Sequence, residues 1–112
     1  MSLGTYLREA RERSGLSLTD LAAAVGINKG YVSRAERDTL ERPPSADVLV
    51  RWANVLELDP DVVLAMSGQV SEELIEVICK RPQLFAEIIR SLKNAPNHAL
   101  LRVAREVRDG DW

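Results

Sequence analysis

A chain of 112 residues with 46% apolar and 29% charged side chains has the bulk for one domain with an appendage, not for two large cores. Its 15 basic and 17 acidic residues leave a net charge of −2. No apolar run approaches the roughly 20 residues that cross a bilayer, and the start lacks the apolar stretch of a secretion signal, so a cytoplasmic protein with no membrane partner is expected. One cysteine, Cys79, and one histidine, His98, exclude an intrachain disulfide and offer neither a metal-ligand set nor a catalytic dyad, so no enzyme, metal or cofactor is expected.

Apolar residues recur at helical spacing and no segment alternates apolar and polar residues for long, which predicts an all-α fold. The first helix is expected from about Thr5 to Ser14, with Leu3, Leu7 and Ala10 along one face and Gly15 closing it in a left-handed cap. Ser17 announces the second, which carries Leu18, Leu21, Ala22 and Val25 up to Gly26. Asn28 caps a third, reaching about Arg37, with Val32 and Ala35 inward and Ile27 at the turn. The polar stretch Asp38 to Ser45 holds two prolines and is expected to be a loop. From Ala46 to about Glu57, Val48, Leu49, Trp52, Ala53 and Leu56 form a buried stripe, and Asp59-Pro60 opens a fifth helix to Met66. Ser67-Gly68 closes this first unit.

Three further helices are expected over Ser71 to Lys80, Pro82 to Lys93 and Pro96 to Arg108. About forty residues with a single aromatic among the helical positions make a poor independent core, so this tail is expected to lean on the first unit or on a second copy of the chain. Charge is unevenly spread: residues 1–44 carry a balance of +1, residues 45–76 of −6 and residues 77–112 of +3. Cys79 lies beside apolar residues, where a buried thiol is expected, while His98 is expected at the surface and Trp52 in the core.

The segment Leu18 to Arg37, LTDLAAAVGINKGYVSRAER, has a steric logic. Ala22 is small where the next helix must cross closely, Gly26 permits the positive φ of a sharp turn, and Leu21, Val25, Ile27, Val32 and Ala35 form an apolar seam. One face of the third helix is thereby left outward, carrying Lys29, Gly30, Ser33, Arg34 and Arg37. Such a helix fits the major groove of DNA: Arg34 or Lys29 can donate to guanine O6 and N7, Ser33 can bond a base edge or phosphate, and Gly30 lets the backbone approach. The helix N-termini at Ser17 and Asn28 favour phosphate oxygens.

On these residues, and on PSADVLVRWANVLELDPDVVLAMSG, positions 5–68 resemble the Cro/C1-type helix-turn-helix family, the xenobiotic-response-element family of bacterial and phage regulators. The resemblance implies a five-helix lambda-repressor-like DNA-binding domain over residues 1–68, with residues 69–112 a helical extension expected to dimerise. It implies that Asn28, Lys29, Gly30, Ser33 and Arg34 read bases, and it implies a structural ion pair between Arg11 and Glu36. Phosphate contacts are expected from Ser17, Thr19, Tyr31, Arg37, Thr39 and Arg42, Tyr31 being equally suited to packing against the loop. The chain departs from the family at Leu18, where many relatives carry a phosphate-holding glutamine, at Asp38, which replaces a common glycine, and in a longer loop from Asp38 to Pro44.

The function expected is therefore transcriptional regulation, with double-stranded DNA as partner. A repressor is favoured, bound to a two-fold-related operator as a homodimer joined through Leu84, Ile88, Leu92 and Leu101. The rival expectation is a protein-interaction module, such as the antitoxin of a toxin–antitoxin pair, using the tail to hold a protein partner.

Overall fold

Five successive side-chain oxygens start the first five helices. In the computed structural model, which describes Met1–Trp112, Ser2 accepts from the Thr5 amide at 3.1 Å to open α1 (Leu3–Arg13), and Ser17 accepts from the Asp20 amide at 3.0 Å to open α2 (Leu18–Val25). Asn28 accepts from the Gly30 amide at 2.7 Å ahead of α3 (Lys29–Glu36), and Ser45 from the Val48 amide at 3.4 Å ahead of α4 (Ala46–Val55). Asp59 does the same for α5 (Pro60–Met66), whose proline sits in the first turn, where no amide is needed. The remaining helices are α6 (Glu72–Lys80), α7 (Pro82–Leu92) and α8 (Asn97–Asp109), so the chain is all-α.

Helix bounds differ from the sequence expectation where a cap decides them. α1 begins at Leu3 rather than Thr5 because Ser2 already caps it. α4 stops at Val55, short of Glu57, because Glu57 adopts φ +56° and cannot continue a right-handed helix. The thiol of Cys79 is exposed, contrary to the expected burial. The reason is that α6 buries no residue at all, so an apolar neighbourhood in sequence does not become a covered one in space.

Two units are distinguished, Met1–Leu74 and Ile75–Trp112. In the first, α3 leans on α1 and α2, while α4 leans on α2 and α5. Leu7, Leu21, Val25, Val32, Leu49, Trp52 and Val63 meet in the core with no appreciable exposure. The Trp52 Nε1–H finds no acceptor there, a desolvation cost of about 1–3 kcal/mol set against the burial of the largest core side chain.

The second unit has no buried residue in α7 or α8. Leu84, Ile88 and Leu101 are 57%, 48% and 63% exposed, Leu92 is half-buried, and His98 is exposed. No helix of the chain is long and apolar enough to cross a membrane.

Candidate nucleic-acid interface

The turn between α2 and α3 is built from hydrogen bonds that converge on one carbonyl. Gly26, at φ +82°, and Ile27 both donate their amides to the Ala22 carbonyl, at 2.8 and 2.9 Å. A side chain at Gly26 would strain that left-handed backbone, and Ala22, 4% exposed, is small enough for the close crossing. Asn28 then caps α3 directly, so three residues, Gly26 to Asn28, join the two helices.

α3 turns Val32, Ala35 and Glu36 inward. Asn28, Lys29, Arg34 and Arg37 are exposed, and Gly30, Tyr31 and Ser33 are half-buried. Neither Lys29 nor Arg34 is paired with a carboxylate, so both cations are available to an external anion or base edge. A Cβ at Gly30 would stand 3.0 Å from Asn28 Oδ1 and 3.4 Å from Arg34 Nη1, so the missing side chain gives the Arg34 guanidinium room across the start of the helix. Arg37 folds back and donates Nε–H to the Ser33 carbonyl at 3.3 Å.

The flanking residues are placed as follows. Ser17 uses its hydroxyl oxygen to cap α2, and Thr19 is exposed without a side-chain bond. Thr39 donates both its amide and its hydroxyl to the Arg34 carbonyl, at 3.0 and 3.2 Å, closing the end of α3. Tyr31, Arg34, Thr39 and Arg42 line one recess beside α3, and Glu41, an unfavourable neighbour for a phosphate, lines it too.

The back of α3 is fixed by charge. Arg11 donates Nε–H to Glu36 Oε2 at 2.7 Å and Nη2–H to Oε1 at 3.0 Å, a two-pronged pair, and its Nη1–H reaches the Leu16 carbonyl at 2.9 Å. One guanidinium thus ties α1, the α1–α2 connection and α3. The Glu36 hydrogen bond holds the Arg11 proton more tightly than an ordinary guanidinium does, against the opposing cost of its burial.

The roles of three supporting residues escaped the sequence reading. Asp38 adopts φ +57°, the conformation that suits the glycine common at this place in the family. Its carboxylate accepts from the Gly4 amide at 3.0 Å and from the Ser2 hydroxyl at 2.6 Å, so it clasps the start of α1. Gly4 is needed for a close approach, since a Cβ there would lie 2.5 and 2.6 Å from the carbonyl oxygens of Ala35 and Glu36. Arg51 donates Nε–H to the Val25 carbonyl at 3.1 Å. The signal for Arg51 was present, as it is the one basic residue between positions 45 and 76; Gly4 left none.

Residues 7–63 match the helix-turn-helix family. An uncharacterized HTH-type transcriptional regulator of Mycobacterium tuberculosis is 35% identical over 65 residues, 58% of this chain and 45% of that protein. The HTH-type transcriptional regulator ImmR of Bacillus subtilis is 34% identical over 64 residues, 57% of this chain and 49% of that protein. The chain therefore spans about half the length of the curated relatives it matches. Among solved structures, the biofilm regulator SinR in complex with DNA is 31% identical, with a TM-score of 0.51 over 55% of this chain and 97% of that one.

Proposed function

The chain belongs to the Cro/C1-type helix-turn-helix family of DNA-binding transcriptional regulators, which are not enzymes, and from that premise we propose that it represses transcription by occupying a two-fold-related operator as a homodimer. Each copy inserts α3 into a major groove. Asn28, Lys29, Gly30, Ser33 and Arg34 read base edges, while Ser17, Thr19, Tyr31, Arg37, Thr39 and Arg42 position the phosphate backbone. The single observation that carries this is the outer side of α3: it is left uncovered by its own domain and presents two unpaired cations around a glycine. A DNA-bound role of the kind found in bacterial and phage regulators supports the cytoplasm as its place of work.

Selection of bound sequences from random duplex DNA at two salt concentrations tests the base reading. A recurring half-site is the expected result, and enrichment of no sequence would defeat it. Arg34→Ala is expected to cost about 1–3 kcal/mol on the selected duplex and to relax preference at one base pair; Arg42→Ala should weaken all duplexes alike and lower the salt slope by about one. Equal losses for Arg34→Ala on selected and scrambled duplexes would remove it from the base-reading set.

The homodimer is supported by α6, α7 and α8, amphipathic helices with no buried residue, whose apolar sides are left for another molecule to cover. Leu84, Ile88, Leu92 and Leu101 are the proposed contacts. Joined copies would set two recognition helices about 34 Å apart, one turn of DNA. Sedimentation at micromolar protein is expected to give a dimer mass that Ile88→Lys reduces to a monomer; a monomeric parent chain contradicts the proposal. The same apolar sides favour a second reading, an antitoxin-like grip on a protein partner, which gains ground if they stay exposed in the dimer.

A further inference from the structure

α2 ends without a cation of its own. The last carbonyls of a helix lack intrahelical partners and carry the negative end of its dipole, so donors or cations are favoured there. The last turn of α2 contains no basic residue. The Ala22 carbonyl is satisfied twice over by the turn amides, whereas the Val25 carbonyl receives its donor from another helix, the Nε–H of Arg51 at 3.1 Å. Arg51 is otherwise exposed and makes no ion pair.

The place of this bond gives it its consequence. Val25 is followed by Gly26 in the left-handed conformation, then Ile27, then the cap of α3. α3 itself leans on α1 and α2, and α4 leans on α2 and α5. The Arg51–Val25 bond is thus a direct polar tie from α4 to the turn that aims α3.

We propose that Arg51 is a positioning residue for DNA reading: it holds the Val25 carbonyl and so fixes the angle at which Lys29 to Arg34 meet the base edges. The inference rests on the base reading proposed above and names what sets its geometry. Base-edge bonds require placement within about 0.5 Å, whereas long side chains follow a phosphate through larger shifts. A loosened turn therefore costs sequence-specific binding and spares the nonspecific kind.

The test uses the full chain with two duplexes, the one that the parent protein selects from a random pool and a scrambled version of it. Arg51→Met keeps the apolar stem and removes the donor; Arg51→Lys keeps a donor and the charge. Arg51→Met is expected to bind the selected duplex roughly tenfold more weakly and the scrambled one within about threefold of the parent, with an unchanged salt slope. Arg51→Lys should recover most of the difference. Equal losses on both duplexes with the salt slope lowered by about one would make Arg51 a phosphate ligand and overturn the proposal. Unchanged affinity of folded Arg51→Met, judged by circular dichroism and a denaturation curve, would overturn it as well. A parent chain that enriches no sequence overturns the base reading and this role with it, whereas a parent that does so isolates Arg51.

Discussion

Replacing Arg11 with alanine is expected to lower the stability of the first unit by about 3–5 kcal/mol, because Glu36 would be left as a buried charge without its partner. The Glu36 side chain is 4% exposed and that of Arg11 13%, so the carboxylate depends on its partner more than on solvent. Both carboxylate oxygens and the Leu16 carbonyl lose donors in one step. A domain of this size has only about 5–15 kcal/mol to lose, so the variant should sit near or past half-unfolding under mild denaturant. Urea titration provides the check: a lower midpoint with an unchanged slope is expected, and a loss under about 1 kcal/mol would contradict the burial account. The sign with pH is also set. The Arg11 proton is held more tightly in the folded chain than in the unfolded one, so its share of stability is fully present below the unfolded value and is lost only as pH rises into strong alkali. Titration of Arg11 therefore leaves the physiological range untouched.

Gly4→Ala is expected to cost about 3 kcal/mol and to weaken DNA binding together with stability. The added methyl would fall 2.5 Å from the Ala35 carbonyl oxygen, 2.6 Å from that of Glu36 and 2.7 Å from Asp38 Oδ1. Two of these atoms are backbone and cannot rotate away, so α1 must separate from the end of α3, at the upper end of what overpacking costs. The separation would stretch the Asp38 bonds to Ser2 and Gly4 and pull on the helix that carries the proposed base-reading residues. Thermal unfolding and binding to the selected duplex measure the two effects. An alanine variant as stable as its parent would show that the α1–α3 contact yields more readily than its backbone oxygens suggest.

Much of the first unit was legible because its signals are local. Ser17, Asn28, Ser45 and Asp59 cap helices by bonds within two or three residues, and Gly26 and Gly15 mark turns by a conformation that other residues rarely adopt. The apolar stripe through Leu49, Trp52 and Ala53 is a spacing, and spacing survives folding. The outer side of α3 could be named by subtraction, once Val32 and Ala35 were assigned to the core. Cys79 shows the limit: its apolar neighbours implied burial, but burial needs a second surface, and no residue of α6 is buried.

The order of letters was enough to determine eight helices, the sharp turn at Gly26 and most of the core of α1 to α4, since caps, periodicity and left-handed turns act over a few neighbouring residues. Val63 and Leu64 of α5 went unnamed, and Val48, expected in the buried stripe, is half-buried. Which distant groups meet was decided only in three dimensions. Asp38 on Gly4 and Arg51 on Val25 join positions 34 and 26 residues apart, whereas the Arg11–Glu36 pair, 25 apart, was foreseen through the family resemblance and not through any local signal. Such pairings depend on the crossing angles of packed helices, which arise from the whole core at once and leave no repeat in any single segment.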